Sequence, residues 1–281
     1  PGALKYTHTI GAQSNTVTLR ASGSTSVLDL GSLQTLTGGD GLDDQVTIEA
    51  LGGGKINLSK VTDIIDPSTA DNSGRAISVK ADGASSLVDL SALKTFNDRN
   101  PDNWDRTGMS SMTASTNGTI QVPQLTTLSS VQLNLSSNGT LPTNQIESLT
   151  FGAIAAAGTY SFANLTDLTW TTVTLTSGAA TFPVASVVDG ASFIVNAGTL
   201  SLPAALNYTH TIGARRDDVT FRASGSTSVL ELPNLKTLTG GNNLNDQVTI
   251  EALGGGKINL SKVTDFIDPL DGSPQGRAIS V

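Results

Sequence analysis

Residues 1–79 and 203–281 of this chain align without a gap at an offset of 202, and 58 of the 79 positions are identical. Tyr6 meets Tyr208, Lys60 meets Lys262 and Arg75 meets Arg277. An ungapped match of this length means that the loops have kept their size along with the core pattern. Duplication within a tandem array explains that better than two distant domains do. The reading places one complete long repeat at residues 1–202. A partial second copy follows at 203–281, continuous with the same structure.

A shorter period lies inside the long one. Its pattern is apolar, any, apolar, two spacers, apolar, two spacers, apolar, as in Leu28, Leu30, Leu33 and Leu36 of "LDLGSLQTL". It returns in "INLSKVTDI" from Ile56, "VDLSALKTF" from Val88, "IQVPQLTTL" from Ile120, "YSFANLTDL" from Tyr160 and "LELPNLKTL" from Leu230. Weaker instances start at Leu141, Ala180 and Leu200, where Thr143 or an alanine fills an apolar slot. Upstream of each instance stands a purely alternating run, such as "VTLRA" at Val17, "VTIEA" at Val46, "ISVKA" at Ile77 and "VTFRA" at Val219. Alternation by two is a strand with one buried face, and the glycine-bearing segments between the two runs supply the corner.

Each unit therefore reads as strand, tight turn, strand and bend. About eight units of roughly 25 residues fill the 202-residue repeat, which is the size of a solenoid coil. Neither strand can bury its apolar face alone, and stacked coils close a continuous core. The fold expected is all-β, a parallel β-helix or β-solenoid. At about 4.8 Å per stacked strand, one long repeat advances roughly 38 Å along its axis.

This coil pattern resembles the parallel β-helix repeats of bacterial surface and secreted proteins, the haemagglutinin-like and adhesin-like solenoids. The likeness covers the whole chain and rests on the coil pattern and on composition. It implies an extracellular or cell-surface position and a structural or adhesive role. A runner-up is a leucine-rich-repeat-like solenoid, since "LPNLKTLTGGNNL" places Leu235, Leu238 and Asn242 or Asn243 suitably. Gly240 stands where that family has leucine, and "VTIEALGGGKINL" contains no helix for the convex side.

Composition narrows the function classes. Charged residues are 14% of the chain and aromatics 4%, and the net charge is −8. No run of lysine or arginine offers a footprint for nucleic acid. No apolar stretch of about 18 residues suggests a membrane span. Cysteine is absent, so neither disulfides nor thiolate metal sites are expected.

The candidate sites lie in three acidic excursions at the same phase of successive coils: Thr37–Gln45, Asp66–Arg75 and Asn97–Gly108. Stacking gathers Asp40, Asp43, Asp44, Asp66, Asp71, Asp98, Asp102 and Asp105 on one ridge. Oxygen ligands on glycine-rich loops suit Ca²⁺, with Asp40, Asp43 and Asp44 as the ligand candidates. Asp and Asn are also ordinary turn residues, and the second copy replaces Asp40 and Asp43 by Asn242 and Asn245. Asp102, Trp104 and Asp105 are the candidates for contact with a carbohydrate or a cell surface.

Parallel β-helices include polysaccharide-degrading enzymes, and Asp102, Asp105 and Arg106 could be drawn into such a role. Catalytic constellations are seldom copied along an array, so no enzymatic activity is expected. His8 and His210 are one position of the repeat, too few for a zinc site, and are expected to be hydrogen-bonded or facing solvent.

The working expectation is a structural segment of an extracellular repeat protein, a stiff rod, fibre or surface layer. Val281 corresponds to Val79, which runs on into "KADGASS", so further repeats or end-to-end association through coil stacking are expected. The alternative is an adhesive module that presents the acidic ridge to a carbohydrate.

Overall fold

The computed structural model describes residues 2–8, 14–67, 74–98, 108–210, 218–269 and 275–281. Every regular element among them is a β-strand, and neighbouring strands run parallel. The chain is a β-solenoid. No helix occurs among the described residues, which removes the leucine-rich-repeat alternative with its helical convex side. Two compact units divide the chain, Pro1–Ile146 and Glu147–Val281. The boundary between the sequence copies falls inside the second.

In the first unit each coil has three walls. Thr16–Ser22, Gln45–Leu51, Ala76–Asp82, Ser110–Ser115 and Val131–Leu135 stack as the longest wall. Val27–Asp29, Lys55–Asn57, Leu87–Asp89 and Thr119–Gln121 form the second. Lys5–Thr7, Thr35–Thr37, Asp63–Asp66, Thr95–Asp98 and Thr127–Ser129 form the third.

The third wall differs from the bend read in the sequence. Its strands are three or four residues long and turn a single apolar side chain inward, Leu36, Ile64, Phe96 or Leu128, so no alternation betrays them. The change from spacing two to spacing three has a local cause. Leu33, Val61 and Leu93 donate their N–H to the carbonyls of Leu30, Leu58 and Leu90, at 2.8–2.9 Å. This β-turn puts its first and last residues both on the inside.

Register stacks like on like. Val46 pairs Ile77, Ile48 pairs Val79 and Ala50 pairs Ala81, and all six are at most 1% exposed. Ile56, Val88 and Ile120 form a buried column on the second wall, and Leu36, Ile64, Phe96 and Leu128 form one on the third. Each such side chain is worth roughly 1.5–3 kcal/mol of burial, and only the coils above and below provide it.

Coil length is not constant. On the long wall, successive partners are 29, 31, 33 and 21 residues apart in the first unit. In the second unit the offsets begin at 19 and 20 and then return to 28 and 29. Short coils omit the excursion and turn the corner on one residue in the left-handed region. Ser130 at φ 54°, Phe151 at 56°, Trp170 at 55° and Gly190 at 64° occupy this position.

Within the second unit, parallel pairing runs across the copy boundary, with Phe193 on Phe221 and Leu200 on Leu230. Phe162 stacks on Phe182 with centroids 4.6 Å apart. Tyr208 meets Phe221 edge-on at 4.8 Å and donates its hydroxyl to the Ala191 carbonyl at 3.1 Å.

The second copy reproduces the first. Asp218–Ser224 pairs Gln247–Leu253 in the register that joins Thr16–Ser22 to Gln45–Leu51. The cross-coil bonds Arg20–Glu49 and Arg222–Glu251 have equal lengths of 2.7 Å.

Candidate functional site

The side chains with the most unusual surroundings lie where the third wall ends and the excursions leave the coil. Register carries the inward column of that wall one step beyond its last apolar residue. Thr7 pairs Thr37 and Thr37 pairs Ile65, so His8, Gly38 and Asp66 follow one another. Asp98 is the direct partner of Asp66, and Ser130 follows Ser129 in the next coil. All the side chains of this column are inside: His8 is 2% exposed, Asp66 and Asp98 1% each, and Ser130 3%. Among the described residues neither ring nitrogen of His8 has a hydrogen-bond partner, so His8 is buried where the sequence suggested a hydrogen-bonded or solvent-facing ring.

Arg75 reaches this column at Asp66. Arg75 is 1% exposed and donates from Nη1 to the Gly39 carbonyl at 3.3 Å and from Nη2 to the Pro67 carbonyl. Its Nε lies 3.9 Å from Asp66 Oδ2. The guanidinium therefore ties the start of the excursion after Asp66 to the excursion of the coil before.

Asp98 accepts the Ser110 N–H at Oδ2, 2.8 Å, whereas neither oxygen of Asp66 accepts a hydrogen bond. Removal from water is the main cause that pushes the Asp66 carboxyl up, from 3.8 to about 7. The charge of Asp98 adds to this, Arg75 opposes it, and Asp44 adds a smaller push.

The calcium candidates have other partners. Asp44 is 1% exposed. It accepts the Asn15 N–H at Oδ1, 3.0 Å, and the Gly41 N–H at Oδ2, 2.9 Å, so it staples its own loop and the loop of the previous coil. Asp246, its counterpart, accepts the Asn243 N–H at 2.8 Å in the same way. Asp43 sits at φ 57° and its counterpart Asn245 at φ 62°. Aspartate and asparagine are the side chains that best tolerate that backbone, which accounts for their exchange between copies. Asp40 is partly exposed at the loop surface.

Among the described residues no group of three or more His, Asp or Glu is placed to hold a metal ion. Asp44, Asp66 and Asp98 thus face inward, where the sequence placed them on an outer ridge. Asp71, Asp102, Trp104, Asp105 and Arg106 lie outside the described residues.

These roles make a paired prediction. Asp43→Asn leaves stability within about 0.5 kcal/mol of the parent, whereas Asp44→Ala leaves two N–H groups without their acceptor and costs about 1–2 kcal/mol. Urea denaturation of both variants measures the difference. Equal effects would refute the separate roles given to the two residues.

In the second unit the same column carries Trp170, Gly190 and His210. Trp170 is 9% exposed and His210 1%, and their rings meet at 5.3 Å. The indole lies across Gly190, where a Cβ would come within 2.8 Å of the ring.

Comparison with protein-family models, with curated proteins and with solved structures gives no match.

Proposed function

We propose that the chain is a structural segment of an extracellular bacterial repeat protein, built to extend as a stiff rod, fibre or surface layer. What carries the reading is the fidelity of the duplicated coils. Wall register, the Arg–Glu pair and the Asp44/Asp246 staple all recur at the 202-residue offset. Duplication that preserves coil-to-coil geometry in this detail is what a spacer needs.

A second observation supports association by coil stacking. Ile64 is fully buried by the following coil, while its counterpart Phe266 is 48% exposed. Ile267 and Leu253 are likewise exposed, at 43% and 46%. Phe266, Ile267 and Leu253 are the exposed apolar strand residues that a coil of another copy would cover on stacking.

Sedimentation velocity tests this. The parent chain should associate as its concentration rises, and Phe266→Lys with Ile267→Lys should abolish the association. A parent chain that stays monomeric at every concentration, indistinguishable from the variant, would count against the stacking.

A further inference from the structure

Two carboxylates, Asp66 and Asp98, are register partners on adjacent strands of the third wall, about 4.8 Å apart along the stack. Each is 1% exposed. The Asp66 carboxyl is pressed against the preceding coil, since a Cβ at Gly38 would lie 2.5 Å from its Oδ1. Neither of its oxygens accepts a hydrogen bond. His8 stands beyond Gly38 in the same column, Asp44 approaches from the loop of the preceding coil, and Arg75 is the guanidinium that faces the group among the described residues, 3.9 Å from Oδ2.

Arg75 also holds the Gly39 and Pro67 carbonyls, so its charge must serve several buried oxygens at once. Two stacked carboxylates in a dry interior, one of them without a hydrogen-bond donor among the described residues, are an arrangement that a proton relieves.

We propose that Asp66 and Asp98 form a proton-holding clasp, so that the contact between the coils containing Asp63–Asp66 and Thr95–Asp98 is tight when the pair carries a proton and loosens when it is lost. The repeat thereby acquires a pH-dependent joint at one place in its first unit. Asp268, the counterpart of Asp66, is 60% exposed at its side chain and serves as the control position.

The direction follows from where the proton sits. The folded chain keeps a proton on Asp66 up to about pH 7, while the unfolded chain releases it near the ordinary value of 3.8. The stabilising contribution is therefore complete below about pH 4. It declines as pH rises, by up to about tenfold in the folding constant per pH unit, and is gone above about pH 7.

The test is a carbon-13 carboxyl titration of the full chain, paired with urea denaturation from pH 4 to pH 8. The Asp66 resonance should titrate near neutrality, and Asp98→Asn should move that midpoint down by about one unit or more. Should Asp98→Asn fail to fold, Asp98→Ser, which repeats the residue found at Ser130, serves in its place. Asp66→Asn should flatten the decline in stability, and Asp268→Asn should leave it as in the parent. An Asp66 midpoint near the ordinary carboxylate range, or one unmoved by neutralising Asp98, overturns the proposal. So does a pH dependence that survives Asp66→Asn.

Discussion

Replacing Gly118 with alanine is expected to lower the stability of the chain by about 3 kcal/mol or more, a large part of the roughly 5–15 kcal/mol typical of a folded domain. Gly118 closes the corner between the long wall and the second wall. Its φ lies outside the left-handed region, so the reason for glycine is space. A Cβ there would lie 2.3 Å from the carbonyl oxygen of Ala81 and 2.5 Å from its carbonyl carbon, in the coil before.

The obstacle is backbone, which no rotamer change can move aside. Gly54 over Ala21, Gly139 over Ala114 and Gly256 over Ala223 meet the same oxygen at 2.1, 1.9 and 2.2 Å. The alanines beneath them are almost wholly buried. Together these pairs set how closely one coil can lie on the next.

A control separates crowding from conformation. Gly23 has φ 91° and open space around the place of a Cβ, so Gly23→Ala should cost only about 1–2 kcal/mol, the strain of that backbone. Thermal and urea unfolding of both variants compare the two. A Gly118→Ala protein as stable as the Gly23→Ala protein would remove the argument from contact.

The second large effect is expected at Arg75. Arg75→Ala should cost about 3–5 kcal/mol at pH 8, because the buried Asp66 loses its cation while staying in a dry site. The carbonyls of Gly39 and Pro67 lose donors in the same step. Arg277, the same position in the second copy, donates to the Pro269 carbonyl at 2.6 Å and faces Asp268, whose side chain is 60% exposed. Water can replace the guanidinium there, so Arg277→Ala should cost about 1 kcal/mol. Equal costs for two residues at the same position of the repeat would show that burial of the acidic partners does not set the energy.

The coil pattern is legible in the amino-acid order because most inward positions of the two recognised runs are apolar. Val46, Ile48, Ile56, Leu58, Val61 and Ile64 are all at most 1% exposed, and even Thr143, in an apolar slot, is only 6% exposed. The third wall was not legible as strand, since one inward side chain per strand leaves no period to count.

The acidic column was hidden for a different reason. His8, Asp66, Asp98 and His210 each stand two residues after the last inward apolar residue, Tyr6, Ile64, Phe96 and Tyr208. Extending the alternation by one step puts them inside. Polarity argued for a turn, and the parallel register overrode it. Trp170 marks the same slot in "LTW", where an apolar side chain makes the inward direction visible. The expectation of calcium at Asp40, Asp43 and Asp44 rests on oxygen ligands in acidic, glycine-rich loops that share one phase of the coil. Loop geometry explains two of the three, by an N–H staple at Asp44 and by backbone conformation at Asp43.

All of this depends on the parallel register of neighbouring coils, and a pair of introduced cysteines measures that register directly. The chain has no cysteine of its own. Thr47 and Ser78 are outward-facing partners on adjacent strands, about 4.8 Å apart, within the span a disulfide bridges. Lys80 lies two residues further along the same face, about 8 Å from Thr47. Oxidation should close an intramolecular disulfide in Thr47→Cys with Ser78→Cys and leave Thr47→Cys with Lys80→Cys reduced. A bridge that forms as readily in the shifted pair, or only there, would contradict the stacked-coil account.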